Sequence, residues 1–429
     1  MTLQQPTVKD ASMDVNEGLE KRSEGSSIKR WIAITAITLL YGFAILVAKI
    51  MGRSRQRDHA PERIKVLAIG TFHNPNWFLA HITPLAKSGI ADVYLVADGH
   101  ITTMENVHQV CPPDWACKVF SRAGAKALWA FGAAWRERPD MYMGYAIFPA
   151  ATVALVLARL FRRPACFQLT SGQLELAGGG NAAENRMLGA LGKPSKWAER
   201  VAFSLTRQFD LIIVRGSRAA KYLRDLGYKH PIETVTGSVQ MPESVSAQNK
   251  RDNDLIFVGR LTERKRPDDF VEVVARLKPQ FPDISAIMVG DGPESDAIAE
   301  LITQHGLEQN IELAGLRSDV DQLLARSKLF VLVSRWEGVS IAMLESMSSG
   351  CVPVCSDVGD LADVLIDDKN GYLLKIGDLD GFADRIQRLL SDDGHRQGFS
   401  DDARATAVHQ VSREAITARW VDILTKHAR

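Results

Sequence analysis

The sequence predicts an α/β chain in which two doubly wound parallel sheets face a cleft, preceded by one apolar N-terminal helix. Three observations predict it. Short apolar runs that end in glycine or a small polar residue alternate with helical stretches. The alternation breaks at a polar stretch, PESVSAQNKRDND (242–254), and then starts afresh. Ahead of both halves, Trp31 to Ala48 passes without one charge.

Residues 1–27 are polar and poor in aromatics, which predicts a disordered tail. The eighteen uncharged residues that follow reach about 27 Å as a helix, close to the thickness of a hydrocarbon core. Basic residues flank both ends and no A-x-A cleavage site follows, so residues 28–51 read as a transmembrane helix rather than a cleaved signal. Lys21, Arg22, Lys29 and Arg30 precede the run; Lys49, Arg53, Arg55, Arg57 and Arg63 follow it. That excess of one cation places the body of a single-pass protein in the cytoplasm.

In the body, IKVLAIG (64–70) and ADVYLVADG are buried strands with a helical stretch around 77–88 between them. AIFPAATVALVLARLF (146–161) holds Pro149 and Arg159 and reads as a core helix, not a second span. ACFQLT and DLIIVRGS are strands flanking the helix SKWAERVAFSLTRQF. Past the linker come DLIFVG, ISAIMVG, IELAG, LFVLVS and VPVCSD, separated by helices near 267–278, 294–305, 319–326 and 340–349. The expected units are 64–241 and 253–405, with a C-terminal helix in 406–429. Sheets of this kind bind ligands at the carboxyl ends of their strands.

With 429 residues, 46% hydrophobic and 24% charged, the chain can bury full cores, and wholesale disorder is excluded. Fifty-two Lys and Arg against 51 Asp and Glu argue against a nucleic-acid partner. Five scattered cysteines make neither a disulfide framework nor zinc-ligand spacing.

Two segments carry candidate chemistry. In SRWEGVSIAMLESMSSG, Glu337 follows a strand and Glu345 lies within the helix that starts near Ser340. The N–H groups of Gly338, Val339 and Ser340 sit at the positive end of that helix. Carboxylates suit hydroxyls and a helix start suits an anion; a nucleotide sugar offers both. In FVGRLTERKRPDDF, Gly259 ends a strand, Arg260 follows, and Lys265 precedes a helix. Two such cations can hold a diphosphate without a metal. Arg264 and Arg266 read as solvated neighbours. VGDGPES lacks the third glycine of a dinucleotide fingerprint, and AGGGN (177–181) lacks the preceding strand.

Together these segments resemble the retaining glycosyltransferases of family 4, also grouped as glycosyl transferases group 1. The likeness spans roughly residues 64–425 and is sharpest in FVGRLTERKRP, MVGDGPE, the stretch from ELAGLRSD to SGCVPV, and NGYLL. Glu337 and Glu345 stand as the Glu-x₇-Glu motif. The resemblance implies a GT-B fold of two Rossmann-like domains, an N-terminal acceptor domain and a C-terminal donor domain. It implies that Arg260 and Lys265 grip the donor diphosphate, that Glu345 takes the ribose hydroxyls, and that Glu337 with Gly338–Ser340 positions the sugar. Arg317 in AGLRSD is a further donor-side candidate.

The first half departs from the pattern. Gly70 is the lone glycine of its loop, Thr170 stands where many members have histidine, and Thr236-Gly237-Ser238 replaces Asn-Gly. His73 is the candidate substitute for the missing histidine. The expected activity is transfer of a sugar, with retention and without a metal or other cofactor, from a nucleotide sugar to a lipid-linked or glycan acceptor at a membrane. The alternatives are a membrane-tethered donor-binding scaffold, or a nucleotide-sugar epimerase or hydrolase.

Overall fold

The computed structural model describes residues 27–52, 62–72, 75–177, 191, 194–242 and 251–428. The tail, most of the AGGGN run, most of the linker and His73 lie outside the described residues.

The first sheet contains β1 (Ile64–Ile69), β2 (Ala91–Val96), β3 (Val107–Val110), β4 (Met141–Tyr145), β5 (Ala165–Gln168), β6 (Leu211–Val214) and β7 (Ile232–Thr234). All pairs are parallel, in the order β3-β2-β1-β4-β5-β6-β7. The chain reverses direction between β1 and β4, which opens a crevice at the carboxyl edge there. The second sheet contains β8 (Asn253–Val258), β9 (Ala286–Val289), β10 (Ile311–Gly315), β11 (Ser327–Leu332), β12 (Val352–Ser356) and β13 (Tyr372–Leu374). Its order is β10-β9-β8-β11-β12-β13, again all parallel, with the reversal between β8 and β11. Strands such as IKVLAI and SKLFVL are apolar on both faces because helices cover both.

Each sheet separates two cores. On the second, Phe257, Phe270 and Phe382 fill one side, and Phe330, Met343 and Met347 the other. The C-terminal helix Arg413–His427 does not stay with the second sheet. It returns to the first, where Ile416, Trp420 and Ile423 pack with Val66, Leu85 and Val93. Glu233 on β7 anchors it, accepting from Arg419 at 2.6 Å and Lys426 at 3.0 Å. The return crossing pairs Val239 with Ser412, so the chain passes between the domains twice at one place. Amphipathic pattern located this helix; its partner is a long-range contact that no local pattern encodes.

The apolar helix runs over Ser27–Met51. Ile37, Tyr41, Ala44 and Ala48 form one buried stripe at helical spacing. The stripe packs on the helices Thr152–Leu160 and Lys196–Thr206 of the first domain, and Tyr41 lies 6.3 Å from the Phe148 ring. The segment 146–161 divides into a wide turn, Ile147–Ala151, and the helix Thr152–Leu160, whose Ala154, Leu155 and Ala158 are buried. All five cysteines are free thiols.

Candidate active site

The loop after β8 lies directly on the loop after β9, backbone against backbone. A Cβ on Gly290 would meet the Gly259 carbonyl oxygen at 1.9 Å, and one on Gly292 would meet that of Leu261 at 2.1 Å. Gly290 also has φ +139°, which side-chain-bearing residues rarely adopt. Leu261 N–H donates to the Asp291 carbonyl at 3.1 Å and Glu294 N–H to the Leu261 carbonyl at 3.2 Å. The VGDGPES glycines therefore support the Gly259–Arg266 loop. A Gly-x-Gly immediately after a strand was the visible signal; what it packs against was not.

On that support Lys265 folds back over Gly259 and reaches across to the loop after β11. Its Nζ donates to Glu337 Oε1 at 2.7 Å, and both side chains are buried. Burial pushes the Glu337 carboxyl up, but the Lys265 ammonium and Arg264 guanidinium outweigh it and hold the group below the usual carboxylate range. Arg335 N–H donates to the Arg264 carbonyl at 2.9 Å, tying the two loops a second time. Arg264 is thus half-buried and contributes to this field, while Arg266 is pinned to Asp269 at 2.6 Å as the left-handed residue before the helix Pro267–Leu277. Neither is a freely solvated neighbour.

Arg260 is exposed, and its guanidinium makes no hydrogen bond or ion pair among the described residues, although its charge reaches Asp291. Arg317 is different. Its guanidinium is held by Asp319 through two bonds of 2.8 and 2.7 Å, which engage two of its five N–H donors.

Ser340 caps the helix Ile341–Ser348, its hydroxyl accepting from Met343 N–H at 3.4 Å. Glu345 lies in the second turn of this helix; its carbonyl accepts from the Ser348 hydroxyl at 2.8 Å, while its carboxylate has no hydrogen-bond partner among the described residues. Burial, with a smaller push from Asp321, raises its carboxyl to about 7. Lys265 and Glu337 thus meet directly. Glu345 belongs to the helix that begins just after the Glu337–Ser340 loop.

This loop is also where the domains touch. A Cβ on Gly338 would stand 2.7 Å from the Thr170 carbonyl oxygen across the cleft. Thr170 directs its N–H and hydroxyl to Glu175 at 2.9 and 3.4 Å, so its carbonyl is the group that faces Gly338. Glu175 is buried, accepts from Ile147 N–H as well, and is raised to about 7 by burial against those hydrogen bonds. The Gly338 carbonyl accepts from Asp360 N–H at 2.9 Å, and the Asp360 carboxylate accepts from Ala219 N–H at 3.1 Å in the first domain. Asp363 accepts from the Ser217 N–H and hydroxyl, and Arg218 bonds Asp357 at 2.6 Å. Two carboxylates of one domain cap a helix of the other.

Sequence reasoning missed Glu175 and Arg215. Arg215 sits at the carboxyl end of β6, buried, with Nη1 3.0 Å from His81 Nδ1 and 2.9 Å from the Val235 carbonyl. A lone arginine ending the apolar run LIIV was the available signal for it. Among the described residues no group of three His, Cys, Asp or Glu is placed to hold a metal.

Residues 243–406 match the family model of glycosyl transferases group 1. The second domain is thus similar to the glycosyl transferases of group 1. Arg260, Lys265, Glu337 and Glu345 all fall inside the matched segment. Among curated proteins, the chain is 30% identical over 227 residues to a lipopolysaccharide core biosynthesis glycosyltransferase of Rhizobium meliloti, covering 52% of this chain and 66% of that protein. It is 28% identical over 214 residues to an Escherichia coli UDP-Gal:alpha-D-GlcNAc-diphosphoundecaprenol alpha-1,3-galactosyltransferase, covering 46% and 54%. The matched part thus spans less than two thirds of these relatives. Among solved structures, Anabaena HepE in complex with UDP-glucose superposes with a TM-score of 0.67 at 20% identity, over 85% of this chain and 100% of that one. Sucrose-phosphate synthase of Thermosynechococcus elongatus gives 0.70 at 16% identity, over 85% and 99%. The two domains around the cleft form a GT-B fold.

Proposed function

We propose that the protein is a retaining, metal-independent glycosyltransferase that moves a sugar from a nucleotide sugar to a lipid-linked or glycan acceptor at a membrane. The observation that carries this reading is the buried Lys265–Glu337 contact at 2.7 Å, flanked by the exposed Arg260 and the capped start of the helix Ile341–Ser348. The Lys265 ammonium spends one of its three N–H donors on Glu337, so others can meet a phosphate oxygen. Arg260 adds a planar fork for phosphate oxygens, and the helix start adds backbone N–H donors.

In the reaction the bond between the anomeric carbon and the leaving phosphate oxygen breaks, and the acceptor oxygen bonds to the same face. Negative charge grows on the leaving oxygen, where fixed donors lower the barrier most. That oxygen takes the acceptor proton, so no separate base is needed. Arg260 and Lys265 hold the diphosphate, Glu345 accepts from the ribose hydroxyls, and Glu337 with the Gly338–Ser340 backbone orients the sugar. Thr170 contributes its carbonyl to the acceptor side. Arg317, braced by Asp319, adds a further donor-side cation. Support for a sugar acceptor at a membrane comes from the apolar helix and from the E. coli relative, a galactosyltransferase whose name includes diphosphoundecaprenol.

The test is incubation of the purified full chain with a panel of sugar nucleotides and a membrane lipid extract. Nucleoside diphosphate release that depends on lipid supports transfer. Release without lipid would make the protein a hydrolase, and binding without release a scaffold.

A further inference from the structure

The helix Ser27–Met51 is apolar on every side, yet only one stripe of it is covered. Leu39, Phe43, Leu46 and Ile50 are exposed by 65, 59, 54 and 71%. The layer beside it continues the same surface. The helix Lys196–Thr206 presents Trp197, Thr152–Leu160 presents Leu160, and Asp114–Glu137, packed beside the latter, presents Phe131 and Trp135. Ring contacts join the far side: Phe131 and Trp135 lie 6.3 and 6.5 Å from Phe161. This helical layer on one side of the first sheet thus exposes large apolar side chains on each helix, interrupted on Lys196–Thr206 by the exposed Lys196 and Arg200.

Its rim is basic. The Arg138 guanidinium stacks over Trp135 and Phe161 at 4.7 and 5.3 Å. Where the apolar helix meets the end of Lys196–Thr206, a hollow of about 360 Å³ is lined by Lys49, Arg207, Lys229 and His230 with Ile45. The turn that brings Lys229 and His230 there is built by Arg224, which donates to the Tyr228 and His230 carbonyls at 2.8 and 2.7 Å. Among the described residues no carboxylate lines this hollow.

We propose that this face docks in the plane of an anionic bilayer, the exposed side of Ser27–Met51 entering the acyl boundary and the Lys49–Arg207–Lys229 hollow taking a lipid phosphate headgroup. The docked stripe decides between lying and spanning. Ile37 to Ala48 makes up about the last two thirds of the apolar run, and its stripe is held against the domain. Were this helix to cross the membrane while docked, the neighbouring helix with its exposed Lys196 and Arg200 would enter hydrocarbon, at high cost. Lying flat, the helix buries its free faces in lipid, and the domain itself supplies the polar side that an isolated interfacial helix must carry. The basic rim complements anionic headgroups. This inference concerns attachment and stands independently of the transfer chemistry.

The test uses the full chain, an N-terminal epitope tag, and preformed vesicles of phosphatidylcholine with or without phosphatidylglycerol. The expected result is flotation with the anionic vesicles, weaker binding to neutral ones, and an N-terminal tag cleaved by added protease. Lys49→Gln, Arg207→Gln and Lys229→Gln each lower partitioning about fivefold. Phe43→Ser with Leu46→Ser lowers binding to both vesicle types, with far-ultraviolet circular dichroism showing an intact fold. A protected tag would mean a spanning helix and would overturn the proposal. So would equal binding to both vesicle types unaffected by the glutamines, or a lipid-free dimer that ignores vesicles.

Discussion

Lys265 Nζ lies 2.7 Å from Glu337 Oε1, and the two residues come from different loops, one after β8 and one after β11. These are the adjacent strands between which the second sheet reverses direction. The pair therefore sits at the topological switch point, where a doubly wound sheet presents a ligand crevice.

Removing one partner leaves a buried charge alone. Lys265→Ala is expected to cost about 3–5 kcal/mol and to abolish diphosphate binding. Lys265→Met with Glu337→Gln is expected to recover most of the stability and none of the binding. Thermal or urea unfolding beside a binding titration checks both halves.

The Glu337 carboxyl is held below its ordinary value, so its contribution to stability is fully present above the unfolded value and is lost as pH falls through the folded one. Wild type should lose stability on acidification below about pH 4 more steeply than Glu337→Gln. Unfolding midpoints followed against pH measure this slope.

Glu345 behaves oppositely. With its carboxyl raised to about 7, the folded chain keeps a proton there that the unfolded chain has lost, so this group's effect on stability declines as pH rises through 7. Ribose hydroxyls donating to the ionised form would favour it. Nucleoside diphosphate affinity is expected to rise between about pH 6 and about pH 8 with a proton released, and to flatten in Glu345→Gln. Calorimetry in two buffers of different ionisation enthalpy reads the proton directly.

Gly338 has no room for a side chain against the Thr170 carbonyl. Gly338→Ala should hold the domains apart and cut turnover about 100-fold, while nucleotide binding to the second domain changes little. Steady-state kinetics beside a titration separates the two, and small-angle scattering should show the more open form.

The sequence made the sheets legible because strands buried on both faces are apolar runs, and IKVLAI or SKLFVL can hardly read otherwise. Short partners such as VHQV and YLL escaped notice; three or four residues carry too little pattern. Candidate chemistry in the second domain was legible because Arg260, Lys265, Glu337 and Glu345 stand at fixed distances from strand ends. Glu175 and Arg215 were not, since a carboxylate in a loop and an arginine ending a strand gain meaning only from residues far along the chain. The course of Arg413–His427 was hidden for the same reason.

The most direct measurement is calorimetric titration of the full chain with UDP, GDP, ADP, CDP and TDP, repeated on Arg260→Ala, Lys265→Met with Glu337→Gln, and Glu345→Gln. The account predicts that one diphosphate binds the wild type and that each variant, still folded, loses at least about tenfold in affinity. A folded wild type that binds none of the five, or variants that bind as tightly as wild type, would contradict it.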